Sequence, residues 1–388
     1  MELCGFSADV NGLKALSSEL DTRIKALESE IYSLVGYEFN LNSPKQLGVA
    51  LFEKLGLPAK KKTKSGYSTG AEVLEGLKNE HPAVSLLLNY RQLAKLKSTY
   101  ADGLQDCIAE DGRIHSTFNQ TEARTGRISS LEPNLQNIPV RTAEGRRLRE
   151  YFNAPAGRVL CDADYSQIEL RVLASMSGDA NMINAFGSGT DIHTVTASQV
   201  FGLPQDMITP ELRSRAKAVN FGIVYGIGAF SLSKDIGVTR AEADRYIKSY
   251  LAAYPGVAAY MEKAIEDAKK NGFVTTLYGR RRYIPELSNS NGNMRAFGER
   301  VARNAPIQGT AADIIKIAMI KVSRSLKDEF PTAGLILQVH DELIVECDEK
   351  DAEDICTLLE REMENAADLA VRLTAEAHFG KTWLEAKA

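Results

Sequence analysis

The sequence predicts an α+β fold, and three observations carry that prediction. The first third of the chain has an almost entirely helical pattern, a strongly apolar strand is predicted at 158–165, and two apolar segments flank a polar triplet near the end. Helical periodicity fills most of the sequence between the middle strand and this final pair. Helices and strands are therefore segregated along the chain rather than regularly alternating, as is typical of the α+β class.

The helical third begins with leucines and isoleucines at spacings of three and four residues from Leu13 to Leu34. That spacing is the period of one helix face, so it predicts a long amphipathic first helix. Further helical pattern follows from Pro44 to about Leu57 and from Ala71 to Leu104. Around 113–118 the pattern changes toward short strands and turns.

The middle strand is expected to feed a helix from Ile168 to Met176, and helical pattern resumes over 191–268. A loop rich in Gly, Asn and Ser at 288–293 then precedes a long helix from Met294 to about Leu326. The apolar segments 335–339 and 343–345 flank His340-Asp341-Glu342. They predict a buried hairpin with these three polar residues at its turn.

Composition indicates an ordinary globular protein, with 388 residues of which 44% are hydrophobic and 25% charged. Two or three subdomains are expected at this length. No apolar stretch approaches the roughly 20 residues that a membrane helix needs, and the first residues do not form a basic region followed by an apolar one. We therefore expect a soluble intracellular protein with no membrane partner, whose five scattered cysteines are reduced. We also expect a monomer.

The net charge of −4 hides an uneven distribution. Residues 342–376 carry twelve acidic and three basic side chains, which leaves the rest of the chain net positive. Basic side chains concentrate at 60–64, between 124 and 149, and at 280–282. Such clusters suit a phosphate backbone, although a solvated charged face is the more common meaning of any one of them. The first cluster makes Lys61, Lys62 and Lys64 candidate nucleic-acid contacts.

A stripe of two cations and two rings follows one face of a predicted helix, where Arg213, Lys217, Phe221 and Tyr225 are each four residues apart. Four helical residues rise about 6 Å, so the stripe is about 18 Å long. It suits a nucleoside triphosphate, with the cations at the phosphates, the first ring near the sugar and the second near a base pair. The alternative is an ordinary amphipathic helix with solvated charges and core aromatics.

Two aspartates, Asp164 and Asp341, each end a strongly apolar strand pattern. A charge there is costly unless it is compensated, and divalent cations are a natural compensation. Two such carboxylates can hold a pair of Mg²⁺ ions about 3.5–4 Å apart, which is the arrangement of phosphoryl transfer. The alternative is a turn or capping role. Asp162 points the same way as Asp164 along a strand, so the spacing leaves open which of the two is the ligand.

Three segments resemble, in order, the polymerase motifs of family A DNA polymerases, the bacterial DNA polymerase I group: 164–171 (DYSQIELR), the helix 213–226, and 338–342 (QVHDE). The likeness extends to essentially the whole chain. Further matching segments are 39–47, which resembles the thumb of the family, 125–130 with 133–139, 191–193 and 300–313.

The resemblance implies a right-hand polymerase fold with a helical thumb at 1–115, an antiparallel-sheet palm in two parts and helical fingers at 181–290. The first palm part, 116–180, contains Asp164, and the second, 291–388, contains Asp341. The implied reaction is DNA-directed DNA polymerisation, in which a primer 3′-OH attacks the α-phosphate of a dNTP and pyrophosphate leaves. Partners are then primer–template DNA and dNTPs, and the cofactor is Mg²⁺, two ions.

The resemblance also implies a role for individual residues. Asp164, Asp341 and Lys217 would be catalytic, and the metal ligands would be Asp164, Asp341 and the backbone carbonyl of Tyr165. The dNTP contacts would be Arg213, Lys217, Phe221, Tyr225, His193, Glu169, Gln167 and Arg141. The DNA contacts would be Arg127, Arg300, Asn304, Gln308 and His340. Glu342 is either an acidic helper at the metals or a structural residue.

Two of these residues imply substrate selectivity. Glu169 would fill the space that a ribose 2′-OH needs, which makes DNA the expected product. Phe221 would stack on the deoxyribose, and its lack of a hydroxyl implies discrimination against dideoxynucleotides.

Two other functions remain open on the same residues. One is a reverse transcriptase or RNA polymerase, and Glu169 argues against the use of ribonucleotides. The other is a catalytically silent nucleic-acid-binding module, against which the intact Asp164, Lys217 and Asp341 speak. Because residue 1 falls at the start of the resemblance to the thumb, we expect neither a proofreading nor a 5′ nuclease domain. A role in DNA replication and repair is expected. The expected location is the cytoplasm, for a bacterial, phage or plasmid-encoded protein, or an organelle.

Overall fold

The computed structural model describes residues 1–59, 62–63, 66–140 and 142–387. Three predicted contacts, Lys61, Lys64 and Arg141, lie outside these residues, as does the side chain of Lys62. Within the described ranges no helix is both long and apolar enough to cross a bilayer. The five cysteines are free thiols.

The first third is helical, as predicted. Its α-helices are α1 (Val10–Val35), α2 (Pro44–Gly48), α3 (Ala71–Glu75) and α4 (Pro82–Lys95). Asp9 begins the first helix by accepting a hydrogen bond from the backbone N–H of Gly12 at 3.0 Å. The segment predicted as helical from Ala71 is interrupted, because proline lacks an N–H and starts a new helix at Pro82. Two π-helical segments continue the helices, Val49–Lys54 and Leu96–Asp102.

A four-stranded antiparallel sheet lies at the centre of the fold. Four two-residue strands and two three-residue strands precede it in the chain, namely β1 (Phe6–Ser7), β2 (Lys62–Thr63), β3 (Gly66–Tyr67), β4 (Arg113–Ile114), β5 (Thr117–Asn119) and β6 (Ser129–Leu131). The central sheet begins with β7 (Arg158–Tyr165), which matches the predicted middle strand. A short helix, α5 (Ala143–Arg147), leads into it.

A run of α-helices follows β7 in the chain. They are α6 (Ile168–Ser177), α7 (Ala180–Gly187), α8 (Ile192–Phe201), α9 (Pro210–Val224), α10 (Ala229–Ile236), α11 (Arg240–Ala253) and α12 (Pro255–Asn271). Thr209 caps α9 by accepting a hydrogen bond from the backbone N–H of Leu212. The stripe helix ends at Val224, so Tyr225 is the first residue beyond it.

The remaining elements complete the sheet. They are the hairpin β8 (Phe273–Thr275) and β9 (Arg281–Tyr283), the helix α13 (Gly292–Glu329), the strands β10 (Gly334–Val339) and β11 (Glu342–Asp348), the helix α14 (Ala352–Glu364), the strand β12 (Ala375–Gly380) and the helix α15 (Trp383–Ala386). The sheet order is β10-β11-β7-β12. Strand β12 was not predicted.

The turn of the final hairpin is shorter than predicted. Only His340 and Asp341 lie between β10 and β11, and His340 makes the tight reversal with a φ of 54°. Glu342 is the first residue of β11 and pairs with Asp164 across the sheet. The prediction that placed Glu342 at the turn was therefore wrong.

Each face of the sheet packs on a different core. Val159, Cys161 and Ala163 of β7 join a core formed with α6, α13 and α14. Leu160 and Ile344 point the other way and join the core of the helical third. The first helices and the sheet thus share one apolar core. The predicted boundaries between thumb, palm and fingers, at residues 115, 180 and 290, stay predictions.

Candidate active site

A cavity of about 560 Å³ opens where β7, the β10–β11 turn and helix α9 meet. Eleven of the predicted site residues line it: Arg127, Asp164, Tyr165, Gln167, Glu169, His193, Lys217, Phe221, Tyr225, His340 and Asp341. Five other residues line it as well, namely Ser166, Ile168, Ala311, Ala312 and Glu376. The arrangement brings three sequence motifs that are far apart in the chain around one space.

The two aspartates come together because their strand ends are adjacent. The backbone N–H of Tyr165 donates a hydrogen bond to the carbonyl oxygen of Asp341 at 3.1 Å. Asp164 has 43% of its side chain exposed and lines the cavity. Asp162 is 2% exposed, and its carboxylate accepts a hydrogen bond from Trp383 Nε1 at 3.2 Å. Of the two acids that the spacing left open, Asp164 is the one that faces the cavity.

Burial disfavours the charged form of both carboxylates. Burial, with the nearby Asp164 charge, raises the pKa of Asp341 to about 7. Burial also raises the pKa of Asp164, although the Lys387 ammonium acts in the opposite direction. One buried oxygen of Asp164, Oδ1, has no hydrogen-bond partner among the described residues. Oxygen atoms without a partner, at a site rich in carboxylates, suit a hard divalent cation.

A lysine that the sequence reasoning missed lies beside Asp164. Lys387 Nζ is 2.8 Å from Asp164 Oδ2 and 2.9 Å from Glu342 Oε2. The carboxylates here surround the ammonium, and within the described residues no three carboxylate, imidazole or thiolate side chains are arranged as ligands of a metal ion. Lys387 is far from both motifs in sequence, so no local pattern pointed to it.

Glu342 does not line the cavity. It is 5% exposed and accepts a hydrogen bond from Trp383 Nε1 at 3.0 Å. The guanidinium of Arg149 lies 3.7 Å from it, in addition to Lys387. These contacts favour the structural alternative for Glu342 over the helper role at the metals.

The stripe on α9 divides between two environments. Lys217, Phe221 and Tyr225 line the cavity, and the rings of Phe221 and Tyr225 are stacked with centroids 6.4 Å apart. Arg213 does not line it, because Arg213 donates two hydrogen bonds to the Asp191 carboxylate at 2.9 and 2.8 Å. Burial alone would raise the pKa of Asp191, but hydrogen bonds from Arg213 and from Thr194 lower it to about 2.

His193 is held as a neutral ring. It is 1% exposed, and its Nδ1 lies 3.0 Å from Asn220 Nδ2. Burial lowers the pKa of His193 to about 4. Because an amide nitrogen only donates, Nδ1 is the acceptor, which assigns the ring proton to Nε2. His193 can therefore offer one uncharged hydrogen-bond donor to the cavity.

Glu169 is a buried acid at the start of α6. It is 6% exposed, and its Oε1 accepts a hydrogen bond from Arg127 Nη2 at 2.7 Å. The other oxygen is buried without a hydrogen-bond partner in the part of the chain that the structure describes. Burial and the Glu169 carboxylate together raise the pKa of Tyr225. Glu169 thus lies between an arginine and the phenol at the end of the stripe.

Helix α13 carries the remaining predicted DNA contacts beside the cavity. Arg300 is exposed, and its side chain lies so close to Gly226 that a Cβ there would be 3.3 Å from Arg300 Cγ. Gly226 also has a φ of +67°, which favours glycine. Asn304 and Gln308 follow at one-turn intervals and are half-buried. None of these three lines the cavity itself.

Comparison of the sequence with known proteins identifies the same family that the motifs around the cavity resemble. The sequence model of DNA polymerase family A matches residues 10–385. DNA polymerase I of Geobacillus stearothermophilus is 50% identical over 389 residues, and DNA polymerase I of Bacillus subtilis is 51% identical over 390. Each alignment covers the whole of this chain but 44% of the relative, so the chain spans less than half the length of these proteins.

A solved structure matches over the whole chain. It is the POL domain of Pol1 from M. smegmatis in complex with DNA primer–template and dNTP, with a TM-score of 0.94 and 45% sequence identity, and this chain covers 69% of it. The match confirms the predicted right-hand polymerase fold of α+β type. The chain belongs to DNA polymerase family A.

Proposed function

We propose that this chain extends a DNA primer on a DNA template, adding dNTPs and releasing pyrophosphate. The observation that carries the proposal is the cavity, because it gathers residues of three separate motifs: Asp164 with Glu169, Lys217, and Asp341. The matched structure was solved with DNA primer–template and dNTP, which supports the same substrates here. Because this reaction is DNA-directed, we also propose a role in DNA replication and repair inside the cell.

Asp164 and Asp341 would hold two Mg²⁺ ions, with the backbone carbonyl of Tyr165 as a further ligand. The donors are all oxygen atoms, which Mg²⁺ prefers over softer metals. When bound, such ions lower the pKa of an attacking hydroxyl and stabilise charge on a leaving group. The unpartnered Oδ1 of Asp164 supports this assignment.

The incoming nucleotide would lie along the stripe. Lys217 would neutralise phosphate charge, and His193 would donate one hydrogen bond without adding charge. Arg213 would contribute only after its guanidinium turns away from Asp191. Phe221 would stack on the sugar and Tyr225 would support the new pair, while Gln167 and Arg141 complete the proposed contacts.

Primer and template would lie against the same side of the molecule. Arg127, Arg300, Asn304, Gln308 and His340 would contact the duplex through the minor groove, where acceptors common to all base pairs permit recognition without sequence preference. The lysines 61, 62 and 64 would follow the phosphate backbone. We propose that one copy of the chain suffices, since every proposed contact comes from a single chain.

Glu169 favours DNA synthesis over the reverse transcriptase and RNA polymerase alternatives. Its carboxylate is buried and fixed by Arg127, so it cannot easily move aside for a ribose hydroxyl. The exposed Lys217 at the cavity argues against a catalytically silent module.

Primer extension tests the proposal directly. The chain is incubated with a labelled primer on DNA and RNA templates, with dNTPs or NTPs, with and without Mg²⁺. We expect extension with dNTPs on the DNA template, and only when Mg²⁺ is present. Extension with NTPs at a similar rate would favour an RNA polymerase, preference for the RNA template a reverse transcriptase, and no extension under any condition a binding module.

A further inference from the structure

Lys387 lies among three carboxylates at the edge of the cavity. Its Nζ is 2.8 Å from Asp164, 2.9 Å from Glu342 and 4.0 Å from Asp162. We call Asp162, Asp164 and Glu342 the acidic cluster. The two shorter distances are those of charge-assisted hydrogen bonds between an ammonium and a carboxylate. Lys387 is thus a resident cation of this cluster.

One aromatic side chain, Trp383, is hydrogen-bonded to two members of the acidic cluster. Trp383 Nε1 donates to Asp162 at 3.2 Å and to Glu342 at 3.0 Å. The Arg149 guanidinium lies over the Trp383 indole ring, 4.0 Å from its centre. Trp383 begins the short helix α15, and Lys387 follows that helix directly. The position of Lys387 is therefore set by a buried anchor four residues earlier.

Lys387 and a divalent cation would need the same carboxylate. The ammonium is hydrogen-bonded to Asp164, the residue proposed above as a metal ligand, and two like charges cannot share one oxygen without strong repulsion. Glu342 and Asp162 offer the ammonium partners on its other side, and Asp162 Oδ1 has no hydrogen-bond partner among the described residues. A short movement of the lysine side chain would therefore free Asp164 while keeping the ammonium paired.

We propose that Lys387 is a built-in competitor for the metal site, which neutralises Asp164 in the metal-free protein and shifts toward Glu342 and Asp162 when a divalent cation binds. This inference rests on the proposed function and deepens it, since it concerns how the same site is loaded. It makes metal binding weaker than the carboxylates alone would give. It also couples metal binding to the surroundings of Trp383.

Metal binding itself is the test, measured without catalysis. Mn²⁺ affinity is measured by electron paramagnetic resonance for the wild-type chain and for Lys387→Met, which keeps the aliphatic stem and removes the charge. We expect Lys387→Met to bind Mn²⁺ about tenfold more tightly, since one competing unit charge is gone. Lys387→Arg should bind close to wild type. Lys381→Met is the matched control, because Lys381 lies on the same segment but pairs with Glu349 at 2.6 Å.

Trp383 gives a second readout in the unaltered protein. It is the one tryptophan in the sequence, so emission excited selectively from tryptophan comes from a residue that is hydrogen-bonded to the acidic cluster. We expect Ca²⁺ to shift Trp383 emission in the wild type, and to shift it less in Lys387→Met. If Lys387→Met does not fold, the wild-type fluorescence titration decides.

Two outcomes overturn the inference: Mn²⁺ affinity in Lys387→Met equal to or weaker than in the wild type, or Trp383 emission that stays constant in the wild type at saturating Ca²⁺. Primer extension by the wild type separates this inference from the proposed function. A chain that extends primers but binds Mn²⁺ independently of Lys387 contradicts the inference only. A chain whose Mn²⁺ affinity depends on Lys387 but which never extends primers contradicts the proposed function and leaves the lysine competition supported.

Discussion

Arg127 donates a hydrogen bond to Glu169 at 2.7 Å, across 42 residues of sequence. The arginine is 38% exposed in its side chain and the glutamate 7%, so the pair lies at the wall of the cavity with the acid on the inner side. A buried carboxylate held by a charged donor is fixed in position. The group proposed to exclude a ribose 2′-hydroxyl therefore has little freedom to move.

Replacing Glu169 with Ala should relax sugar selectivity. Removal of the side chain opens space beside Tyr225, so the preference for dNTPs over NTPs should fall by about a hundredfold, measured as the ratio of kcat/KM values. Glu376→Ala is the matched control, because Glu376 is another acid that lines the same cavity. An unchanged ratio in Glu169→Ala would remove Glu169 from sugar discrimination.

Replacing Phe221 with Tyr should improve the use of dideoxynucleotides. Phe221 stacks on Tyr225 and lies 5.9 Å from the His193 ring, at the wall where the sugar is proposed to lie. A phenol hydroxyl there would supply the polar contact that a sugar without a 3′-OH lacks, so selectivity against dideoxynucleotides should drop by about tenfold or more. Competition between the two nucleotides in primer extension measures it, and Tyr225→Phe, which removes a hydroxyl from the neighbouring ring, should leave the ratio near wild type.

The neutral His193 should make the stability of the protein depend on pH. Its pKa is about 4 in the folded protein, against 6.5 for the unperturbed side chain. Between these values the unfolded chain binds a proton that the folded one does not, so stability is lost as the pH falls from 6.5 toward 4.

Urea unfolding at two pH values measures that effect. Between about pH 7 and about pH 5 the wild type should lose about 2 kcal/mol more unfolding free energy than His193→Gln, which has no titrating group at this position. Equal losses in the two proteins would show that His193 is not held neutral by burial.

Replacing Trp383 with Phe should destabilise the fold. Trp383 is fully buried, packs against Phe6 and Phe152, and supplies the N–H that Asp162 and Glu342 share. Losing that donor and part of the ring should cost about 2–4 kcal/mol. Chemical unfolding measures the loss, and Phe379→Leu, at an exposed position on β12, should cost less than about 1 kcal/mol.

Much of the fold follows from local patterns in the sequence. The strand 158–165 and helix α1 lie where the apolar spacing predicts them. Strand β12 escaped prediction because it is only half apolar, with Phe379 exposed, so its place depends on pairing with β7. The turn that begins at His340 is one residue shorter than predicted, because the sequence does not show which residue adopts a positive φ.

The site residues that belong to sequence motifs could be predicted. The contacts made by residues far away in the sequence could not. Spacing could not choose between Asp162 and Asp164, and the choice depends on Trp383, which buries Asp162 from 221 residues away. Lys387 escaped prediction for the same reason, as did the pairing of Arg213 with Asp191. Contacts of this kind depend on packing, which residue spacing does not encode.

The most direct test of the central claim is Asp341→Asn, assayed in parallel for primer extension and for primer–template binding by fluorescence anisotropy. The substitution keeps the shape of the side chain and removes the charge proposed to hold Mg²⁺. We expect extension to fall below detection while the dissociation constant for primer–template stays within about twofold of wild type. Extension at a rate close to wild type would show that Asp341 is not a metal ligand, and would contradict the proposed mechanism.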